Sequence, residues 1–325
     1  MALVLVVPKL NPLWYTLFRG VTYVSATDSV DITTVKNQLF GNLIHPSEQQ
    51  LTFCQKLQST DEMQAIFSVD QTSAGLAGSS IQAVLYDHTG KFMMIIPKTN
   101  IGTFTDELSA VWDYYLAKFW CNNCPSGPYD SLPEGIYYVG IHFRNGTDAT
   151  ADVFLSEPIH IATTHSDTIL LSYNNEKNNF DIIFTGLPTS WNFNMRFDGG
   201  FESDGFTPKS NDVIYNDIVQ NPVQLSSIPY DTKRITFGRT EGIPNYQAGI
   251  INRILACTHI WVDGVRYCKV SGAKLEPTRT KEYPLGGWRI ELMESYGNWS
   301  QYGHLIQRVL GYGNIAFQGN DLIQA

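Results

Sequence analysis

The chain has 325 residues and a formal net charge of −9 at neutral pH, from 22 basic and 31 acidic residues. Because general nucleic-acid binding needs a basic surface, this balance argues against such a partner. Hydrophobic residues make up 43% of the sequence and charged residues 16%, which excludes an intrinsically disordered chain. The length predicts more than one domain, and low charge with many aromatic residues is typical of a protein that contacts other proteins.

The first fifty residues predict an N-terminal arm or strand region, 1–50. The opening stretch is apolar, but Pro8 and Pro12 interrupt it well short of a membrane span. It also lacks the basic start of a signal peptide, so neither a membrane segment nor a leader is expected. Ala2–Val7 is predicted to be a β-strand or docking arm, and Thr34–Phe40 a short helix.

Residues 51–165 predict a β-sandwich domain. Two β-prone runs, Ile81–Tyr86 and Lys91–Ile96, flank Gly90, which can supply the left-handed position of a hairpin turn. The strand Gly135–Phe143 follows a glycine turn and contains two adjacent tyrosines, which resembles the late strands of immunoglobulin-like sandwiches.

One helix is predicted inside this domain, at Thr105–Phe119. Thr105 is a suitable N-cap residue. Apolar residues then recur at helical spacing from Leu108 to Phe119.

Residues 166–230 predict a second β-rich domain or a continuation of the first. Its candidate strands are Asp167–Tyr173, Phe180–Phe184, Trp191–Phe197, Val213–Asp217 and Val223–Ser227. The glycine-rich stretch Gly199–Gly205 is predicted to be a flexible loop.

Residues 231–325 predict a small α+β module in the order strand, helix, hairpin, strand, with a C-terminal arm. Pro244 opens the helix, where its missing N–H costs nothing. Asp263-Gly264 lies between two β-prone runs and predicts a type I′ hairpin turn. Trp288–Met293 is the last strand of the module, and the fold class is therefore mainly β with α+β elements.

The sequence contains only weak candidates for catalytic or metal-binding residues. Cys121 and Cys124 form a CxxC pair, which leaves a metal site, a disulfide and an ordinary loop open, since no second ligand pair is present. His160 and His165 lack a third ligand. We therefore predict no catalytic, cofactor-binding or metal-binding residues.

Three carboxylates, Glu134, Glu157 and Asp181, formally permit a glycosidase, since that reaction needs two carboxylates. Four tryptophans could stack on sugars, although core packing or subunit contact is the commoner role for such residues: Trp14, Trp191, Trp261 and Trp288.

Several segments together resemble structural proteins of the tail, neck or baseplate encoded by tailed phages and prophages of Bacteroidetes, crAss-like phages included. The segments are FCQKLQSTDEM, LPEGIYYVGI, FLSEPIHI, DTILLSYNN, IPYDTKRITFG followed after three residues by GIPN, INRILACTHIWVDGVRY, AKLEPTR and YPLGGWRIEL. They span most of 51–293 and carry no known catalytic role. The resemblance implies a virion protein made in the bacterial cytoplasm.

The resulting expectation is a non-enzymatic ring or baseplate component that contacts other copies of itself and neighbouring virion proteins. Receptor or glycan binding in the tail is the alternative, and a tail-associated glycoside hydrolase is a further one. Six residues are predicted to lie at the interface because they are expected to be exposed: Asp263, Gly264, Gly199, Gly200, Trp261 and Trp288.

Overall fold

In the computed structural model, the described residues are 5–8, 10–22, 53–70, 80–107, 109–121, 132–144, 150–178, 182–185, 191–216, 218–278 and 285–295. The fold is mainly β, as predicted. The short helix at 34–40, the C-terminal arm, Cys124 and Asp181 lie outside the described residues.

The first part of the chain contributes eleven strands. They are β1 Leu5–Val6, β2 Tyr15–Thr22, β3 Gln55–Gln58, β4 Glu62–Asp70, β5 Ser80–Asp87, β6 Phe92–Ile96, β7 Lys98–Thr105, β8 Val111–Trp120, β9 Gly135–Arg144, β10 Thr150–Ser156 and β11 Ile159–Ala162.

The second part contributes eight strands and one helix within the described residues. They are β12 Thr168–Asn174, β13 Phe193–Phe201, β14 Thr207–Asn216, β15 Pro222–Phe237, α1 Asn245–Ile254, β16 His259–Val262, β17 Val265–Lys269, β18 Glu276–Pro277 and β19 Trp288–Glu294.

A small sheet in the order β1-β4-β8-β7 lies between two hydrophobic cores. One of its faces, with Phe67 and Phe119, packs against side chains of β5, β9 and β11. Its other face, with Ile66 and Leu116, joins the core of the C-terminal part. Because both faces are covered, every residue of β4 is buried.

The prediction of a helix at Thr105–Phe119 is wrong, because Val111–Trp120 is strand β8 of this small sheet. Apolar side chains alternate onto both covered faces, so the apolar run also fits a helical spacing. Asp106 does not begin a helix: its carboxylate accepts hydrogen bonds from Ala110 N at 2.9 Å and Trp112 Nε1 at 3.0 Å. These bonds build the tight turn between β7 and β8.

Six strands of the C-terminal part close into an antiparallel barrel. The cyclic order is β12-β13-β15-β19-β17-β16, and the pairing of β15 with both β13 and β19 closes it. Inward side chains such as Leu171, Phe197 and Ile290 fill the core. The buried face of α1, including Ile250 and Ile254, packs against the same core.

The predicted strand, helix, hairpin and strand of the C-terminal module are present as β15, α1, β16–β17 and β19. Asp263 and Gly264 have φ of 48° and 82°, the two positive values that a type I′ turn needs. The hairpin at Gly90 is also confirmed, with β5 paired to β6 and φ of 88° at the glycine. The immunoglobulin-like topology stays a prediction.

Candidate functional site

Among the described residues, a long two-stranded hairpin lies outside the packed cores, and we call it the arm. It consists of β14 and of Pro222–Asp231 in β15, with a turn between them. β15 pairs with β19 from Thr232 onward, but below that residue it pairs only with β14 among the described strands. Ten residues of extended chain reach about 33 Å, so the arm projects far from the barrel.

The arm is apolar and exposed. Every described residue from 210 to 229 is solvent-exposed. The large apolar side chains among them are Val213, Ile214, Tyr215, Ile218, Val219, Val223, Leu225 and Ile228. At the turn, Ile218 is 96% exposed. The sequence of these twenty positions contains two charged residues, Asp212 and Asp217. Charge repulsion between molecules therefore does little to prevent this surface from associating with another.

One face of the arm carries most of this apolar surface. Cross-strand partners share a face, and successive residues alternate between faces. Tyr215 lies opposite Val223 on this face. Val213, opposite Ser226, and Ile228, opposite Asn211, follow on the same face at successive steps of two residues along β14. Ile214 lies on the other face, and Leu225 is the unpaired residue at the register shift next to Val213. The arm is therefore amphipathic, with its broader apolar face open.

Charged side chains fix the arm where it meets the barrel. Lys209 Nζ contacts Glu291 Oε2 at 2.6 Å, and Thr232 Oγ1 donates to Glu291 Oε1 at 2.6 Å. These bonds lower the pKa of Glu291. Arg234 Nη1 contacts Glu202 Oε2 at 3.3 Å on the adjoining strand connection. Side-chain bonds thus fix the base of the arm to the barrel, while the described residues from 210 to 229 are exposed to solvent.

A second polar cluster surrounds the buried carboxylate of Glu157. Glu157 Oε1 accepts from Gln247 Nε2 at 2.8 Å and from Trp14 N at 3.2 Å. Its Oε2 accepts from the Tyr246 hydroxyl at 2.6 Å. Burial raises the pKa of Glu157 to about 7, and the three hydrogen bonds lower it less. The cluster ties α1 to the N-terminal segment.

The carboxylates considered for a glycosidase are not brought together by these contacts. Glu134 is exposed and accepts from Thr163 N at 2.8 Å and Thr163 Oγ1 at 2.6 Å. Those bonds lower the pKa of Glu134. Glu157 is buried in its separate cluster, so the two carboxylates share no hydrogen-bond partner.

The two histidines interact with each other. The His160 and His165 rings lie 5.0 Å apart, and His165 Nε2 donates to the His160 carbonyl oxygen at 3.1 Å. Within the described residues, no group of three or more His, Cys, Asp or Glu side chains is arranged to hold a metal ion. Cys121 is buried.

The nominated interface glycines are placed differently from the prediction. Gly199 and Gly200 lie inside β13 rather than in a flexible loop, so that prediction is wrong for Gly199–Phe201. At Gly199, φ is 147° and an added Cβ would come 2.1 Å from the Thr236 carbonyl oxygen. This position needs glycine because β15 crosses it closely.

The other nominated residues belong mostly to the body of the barrel. Asp263 is exposed, but its Oδ1 accepts from Leu170 N at 2.9 Å, which holds the hairpin turn against β12. Trp261 is half-buried and stacks on His259 with ring centroids 5.9 Å apart. Trp288 packs against the barrel core.

Neither remaining tryptophan forms an open platform for a sugar. Trp191 is buried in the barrel core, and Trp14 packs on Tyr246 with centroids 5.4 Å apart. None of the helices among the described residues is long and apolar enough to cross a membrane.

Comparisons with protein-family models, curated proteins and solved structures found no match.

The arm was missed by the interpretation of the sequence, although both of its strands were predicted. The available signal was a pair of β-prone runs that contain several apolar residues and almost no charge. Strands of that kind are usually covered, so pattern alone places them in a sheet interior.

Proposed function

We propose that this chain is a non-enzymatic structural subunit of a tailed-phage virion, in a tail or neck ring or in the baseplate. It assembles with other copies and with neighbouring virion proteins, and its arm is buried in those contacts. The observation that carries the proposal is the arm, an apolar and nearly uncharged hairpin that extends beyond the barrel with its described residues from 210 to 229 exposed.

The physical reason is that such a hairpin is a poor structure by itself. An isolated two-stranded ribbon is marginally stable in water, and a third strand or a packed face is what makes it persist. Exposed apolar patches of this kind mark interaction sites in soluble proteins. Burial of the arm in an assembly supplies both the packing and the hydrophobic free energy that the subunit alone lacks.

The composition and the resemblance support the virion as the place of assembly. Charged residues are 16% of the chain, and aromatic residues are 13%. Contact surfaces are depleted in charge and enriched in aromatic side chains, as expected for a subunit that is surrounded by others. The segments that resemble phage structural proteins cover most of 51–293. We therefore expect synthesis in the bacterial cytoplasm followed by incorporation into the particle.

The test is a variant with a shortened arm. Lys209 lies opposite Tyr230 in the ladder, so residues 210–229 can be replaced by Asn-Gly, the preferred two-residue hairpin turn. Light scattering on the purified protein measures self-association. Infection of cells that supply either version to a phage lacking the gene measures entry into particles, by mass spectrometry of purified virions.

We expect the shortened variant to keep the folded barrel and to lose assembly and particle entry. Circular dichroism and thermal unfolding report on the folding of the barrel. The pairs that β15 makes with β19 and β13 lie outside the deleted residues, so the deletion leaves them in place. A shortened variant that assembles and enters particles as the wild type does would refute the proposal.

A further inference from the structure

The two long edges of the arm are chemically different. Pro222 and Pro229 both lie on the β15 side, opposite Asn216 and Ser210 respectively. Proline has no N–H, so a ladder accepts it where its nitrogen points away from the paired strand. Both proline nitrogens therefore face the outer edge of β15. This edge lacks N–H groups at two places and is guarded against a further strand.

The outer edge of β14 carries no such guard from Ser210 to Asn216, and Pro208 lies before this stretch at the base of the arm. β14 is the terminal strand of its sheet among the described residues. Because Ser210 and Asn216 share the proline pairs, the N–H and C=O groups of Ser210, Asp212, Ile214 and Asn216 point outward. No proline or lysine interrupts residues 210–216, and Asp212 is the single charge there. This stretch is an open template for another strand.

We propose that the β14 edge pairs with the β14 edge of a second copy of this chain. The two strands run antiparallel about a two-fold axis at Val213, and the two arms form one four-stranded sheet. The inference rests on the proposed function, because it needs the arm to be an assembly surface. It names the partner of that surface and the strand that makes the contact.

A second copy fits because the open edge is complementary to itself. A two-fold axis brings the same strand antiparallel to itself, so each outward N–H meets an outward C=O. Val213 is the centre of the open stretch 210–216, so an axis there pairs every residue of that stretch, and charge rules out the neighbouring axis at Asp212. An axis at Asp212 would set two like charges directly opposite, which is destabilising. An axis at Val213 instead sets Asp212 opposite Ile214 and Ser210 opposite Asn216.

The pairing also explains why an exposed ribbon is acceptable in this protein. Four strands form a more persistent sheet than two, and the apolar faces of both arms lie on the same side. Val213 and Tyr215 of the two copies then make one continuous apolar surface. The contact is isologous and joins subunits in pairs, so a ring built from the chain uses an additional surface.

The test uses cysteine crosslinking of two matched variants, Val213→Cys and Ser226→Cys. The two residues lie opposite each other on the same face of the arm, one on each strand. In the proposed pair, Val213 meets its own copy in a non-hydrogen-bonded position, where the Cα atoms are about 4.5 Å apart and a disulfide can form. Ser226 of the two copies lies on the far strands.

We expect mild oxidation to convert Val213→Cys largely into a covalent dimer, while Ser226→Cys forms no more dimer than the wild type. The wild type controls for the native thiols, of which Cys54 and Cys268 are partly exposed. Thermal unfolding of each reduced variant confirms that the barrel is intact. An equimolar mixture of the two variants tests pairing of β14 with β15 of the next copy.

Dimer from Ser226→Cys, dimer from the mixture in excess of that from Val213→Cys alone, or no dimer from Val213→Cys would each overturn the proposed pairing. The shortened arm separates this failure from failure of the proposed function. If shortening abolishes assembly while Val213→Cys stays monomeric, the arm is an assembly surface that binds elsewhere. If shortening changes nothing, both proposals are wrong.

Discussion

Glu157→Gln should change how the stability of this protein depends on pH. The wild-type carboxylate is buried and accepts hydrogen bonds from Tyr246, Gln247 and the backbone N–H of Trp14. Tyr15 lies near it, and burial first and the charge of Glu157 second raise the pKa of that phenol. Glutamine keeps the size of the side chain but cannot ionise.

The magnitude follows from the pKa of Glu157, which burial raises from 4.5 to about 7. Between these values the folded protein holds a proton that the unfolded chain has released, so stability falls as pH rises through this window. Above about pH 7 both states are ionised and the loss is complete. Since one pKa unit corresponds to about 1.4 kcal/mol, the total is about 3 kcal/mol.

The assay is urea unfolding of wild type and Glu157→Gln at several values from about pH 4.5 to pH 8. The stability of the variant relative to the wild type should improve by about 3 kcal/mol across this range, because only the wild type carries the buried charge at high pH. Glu134→Gln is the matched control, since Glu134 is exposed. A stability difference between Glu157→Gln and wild type that does not vary with pH would refute the reasoning.

Three further predictions concern stability. Burial lowers the pKa of His142 to about 4, so the free energy of unfolding of the wild type should gain about 3 kcal/mol from this residue as the pH rises from 4 to 6.5. His142→Gln should lack this gain in urea unfolding over the same pH range. Gly199→Ala should lower the free energy of unfolding by more than about 2 kcal/mol, because its Cβ would meet the opposite backbone, whereas Gly200→Ala should change it by less than about 0.5 kcal/mol in the same denaturation. Arg196 holds Asp61 in a buried bidentate pair at 2.6 and 2.8 Å, so Asp61→Asn should cost about 3 to 5 kcal/mol; a loss below about 1 kcal/mol would contradict that assignment.

The C-terminal module was predictable because its signals are local. The turn at Asp263-Gly264 is specified by two adjacent residues whose backbone conformation has few alternatives. Helix α1 follows from a proline at its start and an apolar spacing over ten residues. Neither inference depends on what the rest of the chain does.

The helix predicted at β8 and the loop predicted at Gly199 were wrong because tertiary contacts determine the conformation at both places. β8 lies between two cores, and a strand with two covered faces loses the alternation that identifies strands. Gly199 was assigned to a loop because glycine usually marks one, but here glycine is required by the close approach of β15.

The barrel closure and the arm were also beyond local patterns. Closure depends on β15 pairing with β13 at residues far apart in the sequence. The arm depends on where the neighbours of β15 end, which no local pattern records.

Strand β15 belongs to the barrel wall at one end and to the arm at the other, over sixteen continuous residues. A projecting element that is connected through a loop can change its orientation. The arm has no loop on the β15 side, because the same strand continues from the arm into the barrel. The ion pair of Lys209 with Glu291 stiffens the same point from the β14 side. A partner that bound the arm as proposed would therefore also fix the orientation of the barrel relative to that partner.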